Sequence, residues 1–317
     1  MSSDANQKNN KLKNIAATAS LCVAISLCLL KIFAALMTGS LAVLSSMVDS
    51  LSDILASFIT LIAVRYSTKP ATEKYRYGYG KSEALSSLTQ AAFIAGSGLF
   101  VLYDGISRII LPREVTDTTL GLFVMILSVI VTIILVSFQR YVAKKTKSQA
   151  ILADSSHYMV DLLTNSSIII SLLVTRFFQI TWFDTLTAII IALYLLYSAT
   201  QLAKEAISQL LDKELDENIR NNISKIAQSF DFTKGIHDLR TRDLGGTFFF
   251  EIHLELDGNL TLTQAHDYCE QVEEKILKTY PNAQLIIHQD PAGIEEKRLD
   301  NQLAKSVKPQ KKERKAK

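Results

Sequence analysis

Six apolar stretches limit how this chain can fold. They lie near residues 13–37, 41–65, 84–111, 117–140, 150–175 and 180–203. About 20 mostly apolar residues cross the hydrocarbon core of a bilayer. Each stretch therefore reads as a transmembrane helix, with the longer ones tilted or extended past the lipid. The chain is 48% hydrophobic with mean hydropathy +0.19, too apolar for an ordinary soluble protein. Those apolar residues are concentrated, however, and 210–296 has the composition of a normal globular domain.

Lysine and arginine orient the helices. Lys8, Lys11 and Lys13 precede the first span, and Arg65, Lys69, Lys74, Arg76 and Lys81 fill the link between the second and third. Arg140, Lys144, Lys145 and Lys147 follow the fourth span, and Lys204 and Lys213 follow the sixth. The opposite side carries only Arg108, Arg113 and Arg176. Basic residues stay on the cytoplasmic side, so both termini are expected there. No small-residue cleavage site follows the first span, which reads as a retained helix rather than a signal peptide.

The expected domains are a cytoplasmic leader at 1–12, a six-helix transmembrane domain at 13–208, a cytoplasmic metal-binding and dimerisation domain at 209–296, and a disordered basic tail at 297–317. The tail holds nine Lys/Arg against Asp300 and Glu313, a net of +7 within a chain of net +3, so the remainder is −4. Such a segment can be drawn to anionic membrane lipid or stay solvated. Cys22, Cys28 and Cys269 form no CxxC pair, and buried small hydrophobes account for them. No nucleic-acid partner is expected.

The soluble part predicts the order helix–strand–strand–helix–strand. KELDENIRNNISKIAQSF is apolar at helical spacing, and two strands flank the Gly245-Gly246 turn. In the second, Phe248, Phe250, Ile252, Leu254 and Leu256 alternate with Phe249, Glu251, His253 and Glu255, a period of two. TLTQAHDYCEQVEEKILKTYP is an amphipathic helix capped by Thr261 or Thr263 and closed by Pro281, and QLIIHQDP is the last strand. The fold class is thus membrane α-helical, six transmembrane helices plus a C-terminal cytoplasmic α+β domain with helices on one face of a three-stranded sheet.

Three carboxylates and one imidazole stand inside two of the spans. Asp49 and Asp53 are four apart in the second span, and His157 and Asp161 are four apart in the fifth, so each pair shares a helix face. An ionised side chain at the centre of a span costs at least ~2.5–3.5 kcal/mol, and the set demands a shared partner. Enclosing one divalent ion would supply it, and an imidazole with three carboxylates suits tetrahedral Zn²⁺. The structural alternative is pairing with a Lys, Ser or Asn, for which Lys31 is available. Asp104 and Asp184 fall at outer span ends, Asp154 reads as a solvated helix end or an entrance charge, and Asn165 as an interhelical hydrogen-bonding residue.

The other four histidines all lie in the soluble part. His237 and His253 fall on adjacent strands, His288 and Asp290 two apart on a third, and His266 on the helix. One exposed histidine means little; four with a carboxylate in one small domain point to metal.

DxxxD in the second span, HxxxD in the fifth, six spans, cytoplasmic termini and a small α+β domain together resemble the cation diffusion facilitator family. GSLAVLSSMVDSLSD, YRYGYGKSEAL, HYMVD and IIHQDP are similar to its bacterial zinc- and iron-efflux branch, over about 13–294. The resemblance implies a homodimeric metal/proton antiporter of the bacterial inner membrane that alternates access and exports Zn²⁺, with Cd²⁺ or Fe²⁺ as further cargo. It makes Asp49, Asp53, His157 and Asp161 the transport site. It also implies a metallochaperone-like cytoplasmic fold and a binuclear zinc site between the protomers at His237, His253, His266, His288, Gln289 and Asp290. Lys81 and Asp212 match an ion pair at the dimer interface near the membrane; two ordinary interfacial charges are the plain alternative. Relatives bind a further zinc in the loop after the second span, where Thr72, Tyr75 and Tyr79 stand here. Tyrosine, with a pKa near 10, is a poor neutral-pH ligand, so that third site is expected to be absent. Two other functions are weighed: a metal-sensing receptor without transport, and an intramembrane aspartyl hydrolase. Against the hydrolase, Tyr103-Asp104 is followed by no GxGD, and no HExxH is present.

Overall fold

A computed structural model describes residues 2–38, 41–110, 119–178, 182–294 and 298–307. The side chains of Asp49, Arg108, Arg176 and Asp184, and all of Arg113, lie outside the described set. The chain forms two compact units, Met1–Leu211 and Asp212–Lys317.

The first unit consists of six long helices, α1 (Ser2–Thr38), α2 (Leu41–Ser67), α3 (Ser82–Ile110), α4 (Thr119–Thr146), α5 (Gln149–Phe178) and α6 (Trp182–Leu210). Among the described residues, α1, α2, α3, α4 and α6 are long and apolar enough to cross a membrane. The sixth, α5, is equally long but spends positions on Asp154, His157 and Asp161. Helices suit these sequences because a backbone in lipid has to satisfy its own hydrogen bonds. Packing relies on small residues, as expected where lipid and side chains are equally apolar. Gly98 of α3 lies so close to α6 that a Cβ there would meet Leu195 Cβ at 3.2 Å.

Polar contacts pin the bundle at two levels. At one end Glu83 accepts hydrogen bonds from Lys13 at 2.8 Å, Ser67 at 2.9 Å and Ser148 at 2.5 Å. Lys13, read from the sequence as a flanking charge, is thereby paired across α1 and α3. Deeper in, Asp154 has no solvent exposure. One carboxylate oxygen accepts Ser20 Oγ and Gln139 Nε2, both at 2.6 Å, and the other accepts Gln90 Nε2 at 3.3 Å. Ser20 also meets Ser57, which bonds Tyr158. The solvated helix end expected for Asp154 is therefore incorrect. Donors from α1, α3 and α4 converge on it, and their two amides and one hydroxyl replace the water it loses.

The second unit carries α7 (Glu217–Gln228), β1 (Gly235–Asp243), β2 (Phe248–Leu256), α8 (Leu262–Thr279), β3 (Ala283–Pro291) and α9 (Leu299–Val307). The sheet order is β1-β2-β3, with β1 antiparallel and β3 parallel to β2. Phe250, Ile252, Leu254 and Leu256 turn to the core with Ile223, Val272 and Ile276 of the helices, as their alternation predicts. Thr261 caps α8 in a full capping box with Gln264, and α8 ends before Pro281.

Two features depart from the sequence reading. The register of β1 shifts between His237 and Arg240, and Asp238 adopts φ 48°, a left-handed conformation uncommon outside glycine. Of the tail expected to be disordered over 297–317, residues 299–307 form α9, and 297 and 308–317 lie outside the described residues. Leu299, Leu303 and Val307 recur at four-residue spacing there, a helical period that the surrounding charge obscures.

Asp154→Ala should lower the melting temperature of the detergent-solubilised protein. It takes from the buried Gln139 amide the acceptor it uses and removes one of the partners of Gln90 and Ser20, at a cost of about 2 kcal/mol. Thr261→Ala should remove about 1 kcal/mol from the cytoplasmic unit, readable by chemical denaturation.

Candidate metal sites

α2 and α5 bring their ligands together inside the helical unit. Asp53 Oδ1 lies 3.1 Å from His157 Nε2, and ligand atoms of Asp53, His157 and Asp161 all fall within 4.8 Å of one another. The His157 side chain is 5% exposed and that of Asp53 15%. The rings of Phe93 and Tyr158 flank the imidazole edge-on at 6.3 and 5.9 Å, fixing its plane. His157 Nδ1 is buried without a hydrogen-bond partner among the described residues. Among the described residues, the Lys31 ammonium donates to Ser50 Oγ at 2.8 Å. Asp49 sits one turn before Asp53 on α2, but its side chain lies outside the described set. Tyr103, the tyrosine of the hydrolase alternative, is 72% exposed on α3.

A second group forms on the sheet face away from the helices. Strand register places His237 opposite His253 and His253 beside His288, so three imidazoles form one row across the strands. Their ring centroids are 4.9 and 4.7 Å apart along the row. Asp290, two residues beyond His288 on the same face, is the hub. Its oxygens lie 2.8 Å from His253 Nδ1, 3.2 Å from His288 Nε2 and 3.8 Å from His237 Nε2. Tetrahedral Zn²⁺ with bonds of about 2.0–2.1 Å separates neighbouring ligand atoms by roughly 3.3 Å. Small adjustments of this set reach that geometry, and a nitrogen-rich donor set with one carboxylate is what zinc takes. His237, His253 and Asp290 form the tightest group, while His288 stays 62% exposed at its edge.

The other two predicted residues are not brought into this group. His266 projects from α8 beside Glu270 at 3.4 Å, with its side chain 63% exposed. Gln289 falls on the opposite strand face from His288 and hydrogen-bonds Cys269 of α8. In the loop after α2, Thr72 Oγ1 meets Tyr79 OH at 3.1 Å, and the Tyr75 and Tyr79 rings lie 4.7 Å apart. Lys81 donates to the Leu210 carbonyl at 3.4 Å, and Asp212 lies 3.5 Å from Arg242.

Sequence reasoning misplaced one residue that supports these sites and passed over another. Asp154 anchors the bundle one turn from His157. Asp238, next to His237, accepts the backbone N–H groups of Leu299 and Asp300 at 2.8 and 2.9 Å. Burial would raise its carboxyl pKa, but those two bonds and the nearby imidazoles of His237 and His253 hold it below the usual carboxylate value. The left-handed bulge that creates this contact has no sequence signature, since aspartate is not glycine.

Residues 17–211 match the cation efflux transmembrane domain, and 215–292 match the cytoplasmic domain of cation efflux proteins. The chain belongs to the cation efflux family. It is 44% identical over 294 residues to the cation-efflux pump FieF of Salmonella arizonae, covering 91% of this chain and 96% of that one. The same identity and coverage hold for FieF of Escherichia coli K12 strain DH10B. The solved metal-bound C-terminal domain of the CzcD transporter from Thermotoga maritima covers 26% of this chain and 100% of its own, at 23% identity and TM-score 0.25. This cation efflux protein is therefore a multi-pass membrane protein of a metal-transporting family, with the family's cytoplasmic dimer domain.

Removing the hub tests the second group. Asp290→Ala should cut zinc retained by the purified protein by about one to two ions per protomer, measured by elemental analysis after dialysis, while the helical unit keeps its own ion.

Proposed function

We propose that this cation efflux protein is a metal/proton antiporter that exports Zn²⁺, and also Cd²⁺ or Fe²⁺, across the bacterial inner membrane by alternating access. The observation that carries this reading is the convergence of Asp53, His157 and Asp161 within 4.8 Å on two facing helices. Asp49 completes the set from one turn earlier on α2. Such a site is costly to keep inside a bilayer unless it binds cargo. The imidazole favours a zinc-type ion, whereas an all-oxygen set would favour harder ions.

Proton coupling follows from the ligands. His157 Nε2 and Asp53 Oδ1, 3.1 Å apart, are close enough to share a proton, and the same lone pairs bind the metal. Metal entry must release protons, and protonation must weaken the metal. A site that opens inward with metal and outward with protons then exchanges one for the other, each conformation being selected by what it binds.

Both termini are cytoplasmic in this reading, as the basic loops require. The protein works as a homodimer. His237, His253, His288 and Asp290 hold resident zinc, with His266 and Gln289 completing a binuclear site between protomers. That zinc supplies cross-linking charge that stabilises the dimer by mass action. Lys81 and Asp212 form the ion pair at the membrane-proximal interface, and the Thr72–Tyr79 loop binds no third zinc. A sensor without transport would have no use for a site buried among membrane helices.

Proteoliposomes test the reading. Wild type should move Zn²⁺ with proton counter-flow, and Asp53→Ala should reduce the rate at least about a hundredfold, the scale of losing one ligand's binding energy of several kcal/mol. Wild-type transport by Asp53→Ala would remove the site assignment. Zinc affinity in a His237→Ala/His288→Ala background, which leaves only the membrane site, should weaken as pH is lowered from 8 to 6, because protons compete for the same lone pairs. A pH-independent affinity would remove the antiport mechanism.

A further inference from the structure

The C-terminal helix α9 lies beyond the matched cytoplasmic domain, which ends at 292, yet it is fastened beside a ligand of the cytoplasmic metal group. Four contacts hold it. Asp238 Oδ2 accepts the Leu299 N–H at 2.8 Å and Asp238 Oδ1 accepts the Asp300 N–H at 2.9 Å. In return Asp300 Oδ2 accepts the Asp238 N–H at 2.9 Å. Arg298 meets Glu255 of β2 at 2.6 Å, and Glu255 pairs with Gly235 at the start of β1.

These contacts fall on the one irregular point of β1. Asp238 has φ 48°, a strained conformation for a non-glycine residue that persists where its surroundings impose it. The surroundings here are α9. Its first-turn N–H groups are among those that a helix leaves without internal partners, and the Asp238 carboxylate fills the role of an N-cap from another strand. The Asp238 N–H, displaced from the ladder by the bulge, is taken by Asp300. If α9 departs, Asp238 loses all three bonds and its reason to stay left-handed. The relaxed conformation is extended, and absorbing a bulge changes strand register by one residue, which turns side chains to the opposite face. His237 is the residue immediately before, and its position opposite His253 depends on that register.

We propose that α9 is a latch on the cytoplasmic metal site, with Asp238 the positioning residue for His237. Docking of α9 and binding of metal at His237, His253 and Asp290 stabilise each other. This rests on the cytoplasmic site proposed above. Linkage makes the effect reciprocal, so whatever factor α9 adds to metal affinity, metal adds to α9 docking. The chain's most basic segment, nine Lys/Arg over 297–317, includes and follows this helix. Metal occupancy thereby governs whether α9, from which that segment continues, is docked or released.

The test uses the full chain with Asp53→Ala and Asp161→Ala in place, so that zinc competition against a chromophoric chelator reads the cytoplasmic site. Deleting 298–317 should weaken zinc about five- to tenfold, the scale of losing one helix cap. Asp238→Ala should do the same, and the two together should add little, because they act through one contact. The deletion leaves 215–292 intact, so its effect is not one of domain loss. Zinc should also slow hydrogen exchange at the α9 amides in the undeleted chain, and fail to do so with His237→Ala. Affinity within twofold after deletion, or exchange in α9 unmoved by zinc, overturns the latch and leaves the metal site standing. An undeleted chain that binds no zinc here overturns both, and the first measurement tells the cases apart.

Discussion

An ionised carboxylate cannot stay unpartnered inside a hydrocarbon layer, and the helical unit is arranged around meeting that demand. α5 carries two carboxylates and an imidazole on adjoining turns. Asp154 is provided for by donors from α1, α3 and α4 and becomes a fixed point of the bundle. Asp161 and His157 instead face Asp53 of α2 and form a group open to a cation. The same helix therefore supplies one charge satisfied inside the bundle and another placed in a group that could hold a cation.

The two candidate metal groups use similar donors on different lattices. In the membrane, i,i+4 spacing on two helices sets the ligands. In the cytoplasmic unit, strand register aligns His237, His253 and His288 in a row, and Asp290 closes it from two residues along. The opposite sheet face is filled by Phe250, Ile252 and Leu254. One face of the sheet thus holds the domain together and leaves the other free for chemistry.

Local patterns carried much of this. The pairs Asp49/Asp53 and His157/Asp161 mark helix faces whatever surrounds them. The alternation in β2, the Thr261 cap and the stop at Pro281 likewise depend only on neighbours in the chain. Reading failed where the outcome depended on distant residues. Asp154 has the local sequence of a helix-end charge, and donors from α1, α3 and α4 give it a buried place. The tail from 297 reads as solvated charge, and Asp238, some sixty residues earlier, gives α9 a docking point. His266 and Gln289 belong to the family's ligand pattern, yet within one protomer they point away from the cluster.

The sequence by itself determined the class of molecule: helices long and apolar enough for a bilayer, carboxylates and imidazoles spaced to share faces, and an alternating strand set behind them. These follow from helical and strand periodicity, which act over a few residues. The tertiary structure alone decided which polar groups meet. It put Asp53 against His157 and walled Asp154 inside the bundle. It also bent β1 at Asp238 so that a distant helix could bind beside His237. Partnership between remote charges depends on how elements pack and pay for desolvation together, and no window of the chain records that.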